Sequence, residues 1–251
     1  MSRIATSSPE TESFISQPTE VTVIPVKVST TDVQQSFGSV IISNEQFQEL
    51  LDHFGNSNRN QSRIANPGAL GLAAFALTTF ILSVFNTGSY FIDIKLEGVV
   101  LPVALFYGGL AQFLAGMWEF KVNNTFGATA FTSYGAFWMS FAGYVHIILP
   151  KISQVANAKK ATGLFLLAWF IFTIIMNVAA SKTSKFLFIL FTLLNITFLL
   201  LIIGNLTNLT LVINIGGWFG IITAFTAWYG SAAILINSTF NKSILPLGVF
   251  T

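Results

Sequence analysis

The chain has 251 residues, 53% of them hydrophobic and only 9% charged, and its mean hydropathy is +0.70. Soluble domains carry about 25% charged residues, so a water-facing globule could not build a polar coat from this composition. With no cysteine, two histidines (His53 and His146) and a net charge of +2, the chain lacks the residues for disulfide scaffolds, thiolate zinc sites, thiol nucleophiles, imidazole-based catalysis and nucleic-acid binding. These exclusions leave an integral membrane protein with little equipment for covalent catalysis; the expectation is an all-α one that is not an enzyme and has no metal or other cofactor.

Residues 1 to about 38 alternate Ser/Thr, Pro and scattered charge, which predicts a disordered tail. No apolar run follows a basic start, so no cleavable signal peptide is expected. The stretch SNEQFQELLDHFG at 43–55 differs. Ser43 with Gln46 forms a capping-box pattern. Phe47, Leu50, Leu51 and Phe54 follow i, i+3, i+4, i+7 spacing and share one helical face, and Gly55 supplies a stop. The expectation is a short amphipathic helix near 44–54 inside a cytoplasmic tail of residues 1–62. Its stripe would rest on the membrane interface or the protein body, unless a helix this short forms only part of the time.

A bilayer core needs about 20 apolar residues per helix. Six spans are predicted within a membrane domain of residues 63–240, at about 67–88, 98–117, 125–148, 162–180, 186–204 and 213–236. Residues 241–251 then form a C-terminal tail. The third span is the most polar, with Thr129, Thr132, Ser133, Tyr134 and Ser140, as expected of a helix facing a bundle interior or pore. Lys and Arg near the span ends number six on the side of the N-terminus and four on the other, which places both termini in the cytoplasm. Small residues recur four apart at Ala128, Thr132, Ala136 and Ser140, at Gly216, Gly220 and Ala224, and at Ala111 and Ala115. Such stripes permit close helix approach, within one bundle or between protomers.

The first span opens on Asn66-Pro67, an N-cap followed by a proline suited to the first helical position. Its free N–H groups and positive dipole end attract anions. The whole segment, NPGALGLAAFALTTF, resembles the N-P-x-P-L-G-L signature of the acetate uptake transporter family, with Ala69 in place of the second proline. The resemblance continues in FYGGLAQFLAGMWEF at 106–120, NTFGATAFTSYGAFWMS at 124–140, IGN at 203–205 and GGWFG at 216–220, and covers about residues 64–248.

The resemblance implies six-helix protomers assembled as homo-hexamers, similar in architecture to bacterial acid-gated urea channels. It also implies a pore in each protomer narrowed by a Phe, a Tyr and a Leu. These fall on Phe75, nine residues after the signature Asn, on Tyr134 in TSYG, and on Leu194, counted back from IGN. An apolar ring of this kind opposes hydrated ions by dewetting. The residues expected to bind a small carboxylate are Asn66, Thr78 one turn past Phe75, Gln112 and Asn124, with the Tyr134 hydroxyl as a further donor; Asn124 is also expected to cap the third span and hold the Glu119 loop. Glu119 has two readings, an interfacial pair with Lys121 or a group at the cytoplasmic mouth that couples protons or sets specificity. The expected function is plasma-membrane transport of acetate and other short monocarboxylates with a proton. Alternatives are ammonium or ammonia export, and a membrane acetate sensor without transport.

Overall fold

The structure, a computed structural model, describes residues 43–59, 64–88, 92–154 and 156–248. The expected disorder of residues 1–38 falls outside them. The chain divides into two units, residues 1–61 and 62–251.

In the first unit, helix α1 spans Asn44–Arg59. The capping box forms as the sequence predicts: Ser43 Oγ accepts from Gln46 N at 3.2 Å, and Gln46 Oε1 accepts from Ser43 N at 3.1 Å. Gly55 does not end the helix, which runs on to Arg59. A glycine weakens a helix interior but terminates it only where the backbone turns left-handed.

Among the described residues, the second unit contains six long helical segments. They are α2, Gly68–Asn86; α3, Ile94–Lys121; α4, Thr125–Gly143, prolonged by Tyr144–Ile148 and Leu149–Ile152; α5, Ala158–Ala180; α6, Lys185–Thr207; and α7, Thr210–Phe240. Each of the six predicted stretches overlaps one of these helices, and most of the helices are longer than the apolar run that announced them. The reason is local: crossing requires apolar length, whereas helix ends are set by caps. Asp93, Asn124, Asn157 and Ser184 each accept a first-turn backbone N–H through the side chain. Asn123, Asn208 and Asn241 adopt left-handed φ of 58°, 60° and 53° after α3, α6 and α7, the conformation that closes helix C-termini. Five of the six helices are long and apolar enough to cross a membrane; α4, with its Thr, Ser and Tyr residues, is the exception.

The helices pack as α2 on α7, α3 on α4, and α6 between α5 and α7. Glycines make the closest approaches possible. A Cβ on Gly217 would lie 2.5 Å from Thr87 N, and one on Gly220 would run into Ser83 Oγ, so α7 presses on the last turns of α2. Ser231 Oγ donates to Ala69 O at 2.7 Å and ties the other end of the same pair. The Gly216, Gly220 and Ala224 stripe is therefore spent within the chain. The α4 stripe is divided, with Ala128 buried and Ser140 exposed.

Residues 241–248 belong to the folded body. Asn237 Oδ1 accepts from Ile244 N at 2.7 Å and Leu245 N at 2.9 Å, and Gly248 O accepts from Lys185 N at 2.8 Å.

Candidate functional site

Two cavities occupy opposite ends of the six-helix unit. The smaller, of about 220 Å³, is lined at the end where α2, α4 and α6 begin and α3 and α7 finish, by residues that include Asn66, Glu119, Asn124, Ser184 and Ile234. The larger, of about 730 Å³, lies where α2 and α6 finish and α3, α5 and α7 begin, and includes Asn86, Glu97, Lys159, Asn205 and Asn214. The two linings share three residues: Phe75, Tyr134 and Leu194. These come from α2, α4 and α6, and each is at least nine-tenths buried. The Phe75 and Tyr134 rings meet edge to face at 5.8 Å between centroids. Tyr134 also packs edge-on against Phe172 at 5.5 Å and close to Phe191, so an aromatic collar braces this wall from α2, α5 and α6.

The Tyr134 hydroxyl lies 2.8 Å from Thr173 Oγ1, which itself donates to Trp169 O at 2.7 Å. The single Thr173 proton is therefore engaged, and Tyr134 is the donor to Thr173. This corrects the expectation of Tyr134 as a free donor: its oxygen retains lone pairs, and its proton is committed.

Four polar groups converge in the smaller cavity. Asn66 stands at the rim and caps α2, Oδ1 accepting from Gly68 N at 2.9 Å. Gln112 and Glu119 are each 1% exposed; seven residues apart on α3, they share one face. Gln112 follows a π turn at Phe106–Ala111, which takes one extra residue and resets the face that α3 presents. Its Oε1 has no hydrogen-bond partner. Asn124 caps α4 and holds Glu119, with Oδ1 accepting from Gly127 N at 3.0 Å and Nδ2 donating to Glu119 Oε2 at 2.8 Å.

Of the two readings of Glu119, the pair with Lys121 does not form: Glu119 lines the cavity and takes Asn124 as partner. Gly127 has room only for hydrogen here: a Cβ would lie 2.5 Å from Asn124 Nδ2 and 2.9 Å from Glu119 Cδ. Among the described residues, Glu119 is the one acid in this lining, and no Lys or Arg joins it.

Thr78 lies outside both linings. It is fully buried, donates to Ala74 O at 2.9 Å, and packs beneath Gly108. Its neighbour Thr79 lines the larger cavity instead, as does Trp138. Thr79 Oγ1 and Trp138 Nε1 are both buried without a partner among the described residues. Sequence reasoning missed both. Each stands four residues past a residue that both cavities share, Phe75 or Tyr134, and so continues the same helix face one turn further along.

Comparison with known proteins gives the family of the chain. Accumulation of dyads protein 2 of Saccharomyces cerevisiae is 45% identical over 175 residues, covering 68% of this chain, while the chain spans 61% of that relative's length. Acetate permease A of Emericella nidulans is 38% identical over 251 residues, 90% of this chain and 83% of the permease. The succinate-acetate/proton symporter SatP of Escherichia coli is 38% identical over 188 residues, 74% of this chain and 97% of the symporter. The solved structure of the bacterial acetate channel SatP superposes with a TM-score of 0.66 at 37% identity, covering 74% of this chain and all of that one. A family model for the GPR1/FUN34/yaaH family matches residues 52–249. The chain therefore belongs to that family, the acetate uptake transporters that its NPGALGL segment resembles, whose members are membrane transporters and channels rather than enzymes.

Proposed function

We propose that this protein carries acetate and similar short monocarboxylates across the plasma membrane together with a proton, through a pore in each protomer of a homo-hexamer. The observation that carries the reading is the meeting of two end-facing cavities at Phe75, Tyr134 and Leu194 alone. Relatives named as an acetate permease, a succinate-acetate/proton symporter and an acetate channel support the cargo.

The chemistry is consistent. An apolar collar sheds water and so opposes hydrated ions, while a carboxylate with a methyl end tolerates it. On the smaller side, Asn66, Gln112 and Asn124 offer amides. On the larger side, the unpartnered Thr79 hydroxyl and Trp138 N–H stand one turn beyond the collar. Glu119 makes proton coupling the natural consequence. A carboxylate arriving beside a buried carboxylate with no cation in the lining meets like-charge repulsion in a low-dielectric setting, and one shared proton removes it. All six helices then span the bilayer, α4 being the polar one around which the pathway forms, and the N-inside orientation turns the smaller cavity to the cytoplasm.

Proteoliposomes containing the purified protein should show saturable uptake of labelled acetate that ammonium does not compete. Phe75→Ala and Tyr134→Ala should relax the collar and admit larger carboxylates. Wild-type vesicles without saturable acetate uptake, or collar variants with unaltered selectivity, would sink the proposal. Ammonia movement that is indifferent to acetate would favour ammonia as the cargo.

A further inference from the structure

We propose that residues 241–248 are a strap that gates the smaller cavity, with Leu247 as its plug. The inference rests on the transport reading and concerns how that pathway is opened. Asn241 ends α7 with a φ of 53° and turns the chain back. Asn237, one turn before, then clamps the returning segment, accepting from Ile244 N and Leu245 N at 2.7 and 2.9 Å and donating to Leu245 O at 2.8 Å. Tyr229 OH donates to Pro246 O at 2.7 Å. From there the strap reaches the start of α6, where Leu247 O and Gly248 O accept from Phe186 N at 3.3 Å and Lys185 N at 2.8 Å.

Two consequences follow from this placement. Leu247 lines the smaller cavity beside Ser184 and Phe186, so an apolar side chain from the end of the chain forms part of the wall through which a cytoplasmic carboxylate would pass. The strap carbonyls also occupy first-turn N–H groups of α6, which would otherwise be free to meet an anion. Release of the strap would remove the plug and bare those N–H groups at the rim in one movement.

The segment is built to detach. Of residues 241–248 only Leu245 and Leu247 are half-buried and the others are exposed. With so little apolar burial, the segment is held chiefly by the hydrogen bonds of Asn237, Tyr229 and the start of α6, and it opens when these are released.

The chain has no cysteine, so a single reporter is clean. Ala130→Cys places a thiol in the smaller cavity at a residue only 4% exposed. Its reaction with a membrane-impermeant maleimide, applied from the side of that cavity, should accelerate about tenfold in Asn237→Ala, Tyr229→Phe and Leu247→Ala backgrounds, the ratio that loss of hydrogen bonds or contacts of ordinary net worth gives. Acetate flux should rise with it. Tyr229→Phe changes one hydroxyl and keeps the test valid if Asn237→Ala does not fold.

Equal labelling rates in the parent and the strap variants would overturn the gate, even with saturable acetate uptake intact. Accelerated labelling in protein that carries no acetate would uphold the strap and overturn only the cargo.

Discussion

Glu119 has two readings from its neighbours on the chain, a pair with Lys121 or a group at a cavity mouth, and its partner in space removes the first. MWEFK suggests an ion pair two residues apart, yet residues i and i+2 of a helix do not face each other. The loop brings Asn124 within 2.8 Å of Glu119 instead. If the carboxylate takes part in coupling, acetate uptake by the wild type should fall as the pH is raised between about 5 and 7.5, because the proton that relieves the Glu119–substrate repulsion becomes scarcer. Glu119→Gln keeps an acceptor for Asn124 but carries no charge at any pH, so its uptake should vary less steeply over the same range. Uptake profiles of equal steepness in vesicles of the two proteins would remove Glu119 from the coupling step. Asn66 and Asn124 were legible as caps because a cap is a matter of three or four consecutive residues. The choice of Thr79 over Thr78 was not, because adjacent residues on a helix point about 100° apart and only the neighbouring helices decide which faces a cavity.

Among the elements, the α2–α7 pair depends on its glycines. Hydrophobic burial does little to join helices already in lipid, so close backbone contact carries the association. Gly220 sits against Ser83, and Gly217 against the backbone at the end of α2. Gly220→Leu should force the helices apart and cost about 1–3 kcal/mol, read as a lowered melting temperature in detergent. Ser140→Leu, at an exposed position of the α4 stripe, should leave that temperature nearly unchanged. Equal losses at the two positions would contradict the division of small-residue stripes described above. The stripes themselves could be read from four-residue spacing, but which of them a single chain consumes could not. That depends on helix pairings between residues more than a hundred positions apart.

For the whole molecule, apolar surface remains after the chain has folded. On α5, Leu164, Ile171, Ile175 and Val178 are all more than half exposed, and on α3 so are Phe106 and Trp118. In water such faces would aggregate; in a bilayer they meet lipid or another protomer. A homo-hexamer should give, in native mass spectrometry from nanodiscs, a complex near six times the 27.4 kDa chain. A monomeric mass retained at all protein concentrations would rule the assembly out.

The sequence by itself determined the environment and the elements. A charge content of 9% requires a membrane, apolar length marks the helices, and Asn, Ser and Asp caps place their ends. All of these depend on interactions within a turn or two of the residue concerned. The positions of Phe75, Tyr134 and Leu194 were reached only through family resemblance, since a lone Phe or Leu in an apolar helix carries no local sign of its role. Tertiary structure decided what those residues do together: three helices bring them to the one wall that two cavities share. It likewise committed the Tyr134 proton to Thr173, turned Thr78 away, and folded the end of the chain back to set Leu247 in the smaller cavity. Each of these outcomes depends on helix rotation and on partners distant in sequence, which no local pattern of residues encodes.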